Sequence, residues 1–475
     1  MGAPYHRLIS IPRAVNVRSL RSAILAILAL AAFGSGPVWA EEDEYGSRAP
    51  FPAGPLRQID DALRPYGIRP SLTYVGEALG NASGGIRRGA IYDGQLSLAV
   101  DADLAKLIGW SGAKFHANVL NNHGDGLSRG FLGNNLMTVS SIEALNHTRL
   151  DELWIEQSFG KNFSLRFGQL SADVEFYNSK YAGSLINSTF GWPAIGGANL
   201  PSGGPVTPLS TMGVRGVAQL SERLTLLFAV FNGNPAGPGV DDPQNLDPHG
   251  LNFRLRDSPL LMGELQYSYK IDAQRPGTFK LGAWMHTGEF SDLRFDTNGV
   301  ALANPASNGI PAQHRGDFAP YAVLEQMLVP FDPKGEKGIA AFGRLQVTQA
   351  DRNTVASMPM AASISADSGR RGRTTVFPSG RAMPGYPPPR AASIRIRRAS
   401  ARRRRFAINE AVLEATYSHQ IARGWTVQPD IQYIMHPGGG ASDPNSPSGQ
   451  RIPDALILGV RMTVQWGARD PNSEQ

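Results

Sequence analysis

The feature that most constrains this chain is a recurrent two-residue alternation in which one face is apolar and the other carries full charges. In 91–104 the even positions Tyr92, Leu96, Leu98, Val100, Ala102 and Leu104 are apolar, and the odd positions Asp93, Gln95, Ser97, Asp101 and Asp103 are polar. Phe163, Leu165 and Phe167 alternate with Ser164 and Arg166, and Phe279, Leu281, Ala283 and Met285 alternate with Lys280, Trp284 and His286. Leu456, Leu458, Val460, Met462, Val464 and Trp466 alternate with Arg461, Thr463 and Gln465. This is the period of a strand with one greasy and one wetted face. About 14 such segments occur, near 72–80, 91–104, 113–121, 151–159, 163–170, 212–220, 223–231, 262–270, 277–286, 318–328, 338–348, 409–419, 424–434 and 455–466.

Two architectures use strands of this kind. A soluble sandwich buries the apolar face against a second sheet; an outer-membrane barrel turns it to lipid and the polar face to a watery lumen. The abundance of Arg, Lys, Glu and Asp on the polar face favours the barrel. So do the aromatics near strand ends (Tyr92, Trp154, Tyr267, Tyr269, Trp425, Tyr433, Trp466), placed for an interfacial girdle. Connections also alternate in length, short at 160–162, 221–222 and 271–276 and long at 121–148, 171–211, 232–259 and 287–317. The fold expected is therefore all-β, a transmembrane antiparallel outer-membrane β-barrel spanning 71–466, with a tail at 467–475.

No cysteine is present, which excludes disulfides, thiolate metal sites and cysteine nucleophiles. The net charge of +6 suggests nucleic acid, but its distribution removes the suggestion. Residues 1–40 carry four arginines and no acid, and 354–405 carries twelve arginines against Asp367 alone; removing +4 and +11 from the total leaves −9 elsewhere. The first stretch reads as an export signal: a basic region ending at Arg21, the apolar run Ala23–Phe33, and Val38-Trp39-Ala40 before an acidic start at Glu41. About 11 apolar residues are too few to cross a core of roughly 30 Å as a helix. Between 41 and 70, Leu56, Ile59 and Leu63 suggest a short amphipathic turn at the periplasmic mouth.

The wording of several strands and loops is itself recognisable. The runs GGIRRGAIYDGQLSLAVDADL (84–104), GWSGAKFHANVLNNHG (109–124), LRFGQLSADVEF (165–176), NSTFGWPA (187–194), KLGAWMHTGEF (280–290), DALILGVRMT (454–463) and, most specifically, EAVLEATYSHQIARGWTVQPDIQYIMHPGG (410–439) resemble the carbohydrate-selective porin family (OprB-type). The resemblance runs from about 65 to 350 and from 408 to 466. It implies a barrel of 16 strands in the Gram-negative outer membrane, passing glucose and similar sugars into the periplasm by facilitated diffusion. Against this stands 354–405, with six prolines, twelve arginines and no alternating window of strand length. Two of the family's strands are not recognisable there, and Pro387 to Pro389 exclude a central strand. The favoured reading is translation out of frame between two compensating shifts, because the resemblance stops and resumes abruptly. Taken as written, the barrel is expected to be two strands short.

A sugar pore needs lumen-facing groups that exchange hydrogen bonds with hydroxyls without holding them tightly. Strand parity turns Trp154, Glu156, Arg166, Arg215, Lys280, Trp284, His286, Arg344, Glu410, Glu414 and Arg461 inward, with Asp93, Gln95, Gln428 and Asp430. Trp154, Glu156 and Arg166 rank first because they flank the 160–162 turn on adjacent strands. The loop 171–211 either packs outside or folds in to narrow the pore, and the latter brings Asp173, Glu175, Phe176, Trp192 and Asn199 toward the lumen. No nucleophile elbow, P-loop, dinucleotide fingerprint or zinc spacing occurs, so no enzymatic activity, cofactor or metal is expected. The partners expected are sugars as solutes and outer-membrane lipid, not nucleic acid, with self-association left open. Two rival functions remain, a general or ion-selective porin and a secreted β-sandwich sugar-binding protein.

Overall fold

The computed structural model describes residues 55–133, 136–331, 338–366, 370–376, 379–382, 410–422 and 424–466. The expected export signal, the C-terminal tail and Pro387 to Pro389 lie outside the described residues. Among the described residues seventeen strands form one antiparallel sheet: β1 (Ile68–Ser83), β2 (Gly89–Asp103), β3 (Ala113–Gly124), β4 (Thr148–Phe159), β5 (Phe163–Leu170), β6 (Thr211–Ser221), β7 (Leu224–Asn232), β8 (Pro259–Lys270), β9 (Pro276–Asp296), β10 (Pro311–Pro330), β11 (Gly338–Val347), β12 (Val355–Ala366), β13 (Arg370–Val376), β14 (Ser379–Ala382), β15 (Glu410–Ala422), β16 (Trp425–Met435) and β17 (Ala455–Trp466).

Neighbouring strands pair in chain order, apart from β13 and β14, which each pair with β12 and β15, and β17 pairs back onto β1 from Leu72↔Trp466 to Ser83↔Leu456. The order therefore closes on itself, which leaves no strand edge to be satisfied by lipid. A second sheet, which a sandwich requires, is not needed to cover the apolar rows. Leu98, Phe167, Leu281, Leu345 and Leu458 face outward and are about half exposed, whereas the alternate positions Glu77, Arg215, Arg344 and Glu414 are buried inside. On β15 and β16 the outward Leu413, Ile431 and Tyr433 are buried, so Tyr433 is not a girdle residue; its hydroxyl donates to Asp454.

The segment expected to lack strands supplies three. β12 pairs with the whole of β11, from Gly338↔Ala366 to Val347↔Ser357. β13 and β14 lie one after the other between β12 and β15 and share one place in the wall. The seventeen strands thus fill sixteen places, the number that the family resemblance implies, and the wall is not two strands short. β9 and β10 also run further than expected, to Asp296 and from Pro311, so most of 287–317 is strand rather than loop.

Short links and long loops sit at opposite ends. Gly160, at φ 69°, makes the tight turn from β4 to β5. The link from β2 to β3 is a one-turn helix, Leu104–Ile108, capped by the Asp103 carboxylate, which accepts the N–H of Ala105 at 3.0 Å. Ahead of β1, where an amphipathic turn is expected, comes the helix Pro55–Leu63, in which Ile59 is exposed and Asp60, paired with Arg64, is buried. At the other end, the loops 125–147 and 171–210 turn into the barrel. Leu127, Leu132, Met137, Val139, Tyr181, Leu185, Phe190 and Ile195 from these loops form one dry cluster with the inward Phe342, Met358, Met360, Val412, Ile434 and Ile457 of the wall.

Candidate functional site

Charged wall residues hold the inserted loop from both sides of the barrel. On β15, Glu414 accepts the backbone N–H of Ile186 at 2.6 Å and of Asn187 at 3.1 Å. On β16, Gln432 accepts from the Asn187 amide at 3.0 Å and Gln428 donates to the Ser184 carbonyl at 2.9 Å. On β11, Arg344 donates to the carbonyls of Tyr177 and Phe190, and on β9 the ammonium of Lys280 donates to the Asn178 carbonyl at 2.7 Å. Asn199 pairs with both the carbonyl and the N–H of Val355 on β12. The loop starts at β5 and returns at β6, so contacts with β11, β12, β15 and β16 carry it across the lumen.

Glu175 of this loop meets the wall midway along β5. Its carboxylate accepts from Arg166 Nη1 at 2.6 Å and from Arg215 Nη2 at 2.7 Å. Glu156 accepts from the same two arginines, at 2.9 Å from Arg166 Nε and 3.0 Å from Arg215 Nη2. Two cations and two anions alternate in a closed ring, three members from β4, β5 and β6 and the fourth from the loop. The Arg166 guanidinium lies 3.6 Å over the ring of Trp154, whose other neighbour is His116, stacked at 4.9 Å and 19°. His116 Nδ1 is 2.7 Å from Asp101 and Nε2 is 3.9 Å from Glu152.

The sequence-derived candidates therefore divide. Trp154, Glu156, Arg166 and Arg215 come together in one partly buried cluster. Trp154 has a neighbour stacked against it on either side, so it orients Arg166 rather than offering a bare face to a pyranose ring. Lys280, Arg344 and Glu414 hold the loop instead of lining open water. Trp284 is wholly buried in an apolar cluster with Phe176 and Trp192, and buried His286 is held by the Gly233 carbonyl at 3.0 Å. Glu410 accepts the N–H of Gly438 at 2.7 Å, holding the loop between β16 and β17. Arg461 pairs with Glu77 and donates to Ser141 at 2.9 Å, and buried Asp93 accepts the N–H of Gly126 at 3.0 Å. Gln428 and Asp430 lie under the inserted loop, Asp430 accepting from Gln432 at 2.9 Å.

Of the loop residues weighed from sequence, Glu175 and Asn199 make wall contacts, and Phe176 and Trp192 are buried in the packing beneath. Asp173 is held by Ser171 and Thr207, and burial lifts its pKa above the ordinary aspartic value. His116 and Tyr177 were missed. Tyr177 stacks on Tyr321 at 3.9 Å and sits at φ 61°, a strained value for a residue with a side chain. His116 lies on the polar face of the alternating run 113–121, where parity alone turns it inward, whereas no spacing marks Tyr177.

Comparison with known proteins agrees with this geometry. The family model for the carbohydrate-selective porins, OprB family, matches residues 87–466. Porin B of Pseudomonas aeruginosa is 25% identical over 350 residues, covering 69% of this chain and 72% of that protein. The high-pH structure of Pseudomonas putida OprB superposes with a TM-score of 0.71 at 20% identity, covering 89% of this chain and 100% of that one. With its closed sheet of sixteen places, its inserted loop and a family match over most of its length, the chain belongs to the carbohydrate-selective porins of the OprB family.

Proposed function

We propose that neutral sugars, glucose and its relatives, diffuse passively through this barrel past the ring formed by Glu156, Arg166, Glu175 and Arg215. An outer-membrane sugar channel is the activity of the family; the ring is this chain's own means of selecting. The observation that carries the reading is the alternation of two cations with two carboxylates at 2.6–3.0 Å, where the inserted loop meets the wall. Such a ring has no net charge, so it neither enriches nor repels ions of one sign. It does present fixed donors and acceptors that exchange with hydroxyl groups. Release stays fast because every member of the ring already has a charged partner to return to.

The reading also takes 1–40 as an export signal and assigns no catalytic step to any residue. Its test is conductance of the purified chain in planar bilayers, titrated with glucose and with a disaccharide. Concentration-dependent block by sugar, with little preference between K+ and Cl−, is the expected result. Conductance unaffected by sugar and strongly ion-selective describes a general porin instead and overturns the proposal.

A further inference from the structure

The wall is lowest at β5, and a piece of another loop stands in above it. β5 ends at Leu170, with Gln169 opposite Leu153, whereas β4 continues up to Thr148. Above that end, the N–H of Leu150 donates to the carbonyl of His249 at 3.0 Å, so the loop between β7 and β8 becomes the neighbour of β4. Gly250, at φ 64°, lies so close that a Cβ would come within 2.0 Å of the Leu150 carbonyl. The outward-parity Gln169 supports the junction from below, its amide donating to the carbonyls of Leu150, Asp151 and Gly250 at 2.8–3.0 Å, and it is only 3% exposed.

From there the chain runs toward the top of β7 and β8, where Asp257 bonds Asn232 at 3.0 Å and Arg254 at 2.6 Å. Along this strap apolar and polar residue types alternate: Leu251 at 60%, Phe253 at 47% and Leu255 at 76% are exposed, Asn252 is exposed beside them, and Arg254 is buried against Asp257. Period-2 alternation is the pattern of the lipid-facing strands, continued in a segment that is not a strand. The outward rows of the three strands beneath it carry Phe167, Val214, Phe228 and Val230, all exposed.

We propose that the strap 251–255 seats Leu251, Phe253 and Leu255 among the acyl chains of the outer leaflet, completing the apolar band over the sector where β5 falls short. β5 has 8 residues, fewer than the 9–11 or so that a tilted strand needs to cross the hydrocarbon, and three exposed apolar side chains in water are costly. Continuity with the lipid-facing rows below selects lipid as the occupant. The buried Arg254–Asp257 pair and Gly250 fix which face of the strap is turned out.

The cysteine-free chain permits a direct test. Single substitutions Leu251→Cys, Phe253→Cys and Leu255→Cys, with Phe167→Cys as a wall reference and exposed Val240→Cys as a reference elsewhere on the same loop, are nitroxide-labelled in dilauroylphosphatidylcholine vesicles. Heat-modifiable migration on gels selects folded protein. Collision with oxygen over a nickel chelate at the three strap positions, as at Phe167, is the expected result. A preference for the nickel chelate, as at Val240, overturns the proposal, and so does strong spin–spin coupling between labels on separate copies, which makes a second chain the occupant. Gly250→Ala supplies an independent check, since a displaced strap moves the Phe253 label toward the chelate while leaving the Phe167 label unchanged.

Discussion

The carboxylate of Glu414 on β15 accepts the backbone N–H of Ile186 at 2.6 Å, tying the tip of the inserted loop to the wall across the lumen from the strands that bear it. Asn187 donates to the other oxygen, so one side chain satisfies two successive peptide groups in a dry setting. Glu414→Ala leaves both N–H groups buried without an acceptor, at a cost of about 1–3 kcal/mol each. The expected outcome is a larger and noisier single-channel current with a lower heat-modification midpoint. Glu414→Gln keeps one acceptor and falls between. Unchanged current in Glu414→Ala means that the loop is held without this tie.

The neutral ring makes a signed prediction about ions. Glu175→Gln removes one negative charge and leaves a net positive constriction; Arg166→Gln does the reverse. A unit charge acts on an ion about 4 Å away with roughly 1 kcal/mol in a water-like medium, about fivefold for each ion and in opposite directions for K+ and Cl−, so the permeability ratio can move by up to about 30-fold. Reversal potentials in a salt gradient should move in opposite directions for the two variants, each with weaker sugar block. Shifts of the same sign, or none, place the selectivity elsewhere.

How far the chain could be read in advance follows from what alternation encodes. It tells which way a side chain points, so Leu98 and Phe167 were correctly turned out and Arg166, Glu414 and Arg344 in. It says nothing of what occupies the lumen, which is why Lys280, Arg344 and Glu414 looked like pore lining although they hold a loop whose own sequence shows no strong pattern. β12 escaped for a related reason. Its inward Met358 and Met360 pack against the loop instead of water, so the strand is apolar on its inner face and loses the contrast that marks the others. Pro359 there faces out, opposite Leu345 of β11, in a strand the composition argued against.

Arg344 offers the largest expected stability effect. Its guanidinium donates to three carbonyls, those of Tyr177, Phe190 and Gly191, from a fully buried position. Arg344→Ala orphans all three, and removing one partner from a buried charged network typically costs about 3–5 kcal/mol. Urea unfolding followed by tryptophan fluorescence should show a markedly lower midpoint, with Arg344→Lys intermediate because its ammonium keeps the charge but lacks the planar, spread donor fork of the guanidinium. A midpoint within error of the parent chain rules out this role.

Glu143 gives the loop 125–147 a pH dependence whose sign can be worked out. Burial raises its pKa above the ordinary 4.5, outweighing the bonds it accepts from the Ser128 N–H and hydroxyl and the Arg129 N–H, and nearby Asp93 adds repulsion. A raised value means that the folded loop binds the proton more tightly than the open one. The stabilisation is therefore complete below about 4.5 and is lost as pH rises through the folded value. Hydrogen exchange at Ser128–Leu132 should accordingly report a smaller opening free energy at neutral pH than near pH 4, once the intrinsic chemical rate is divided out. Glu143→Gln, neutral throughout, should flatten that slope while keeping an acceptor for Ser128. If parent and variant show the same slope, the titration that loosens this loop belongs to another group, with Asp93 the next to be replaced.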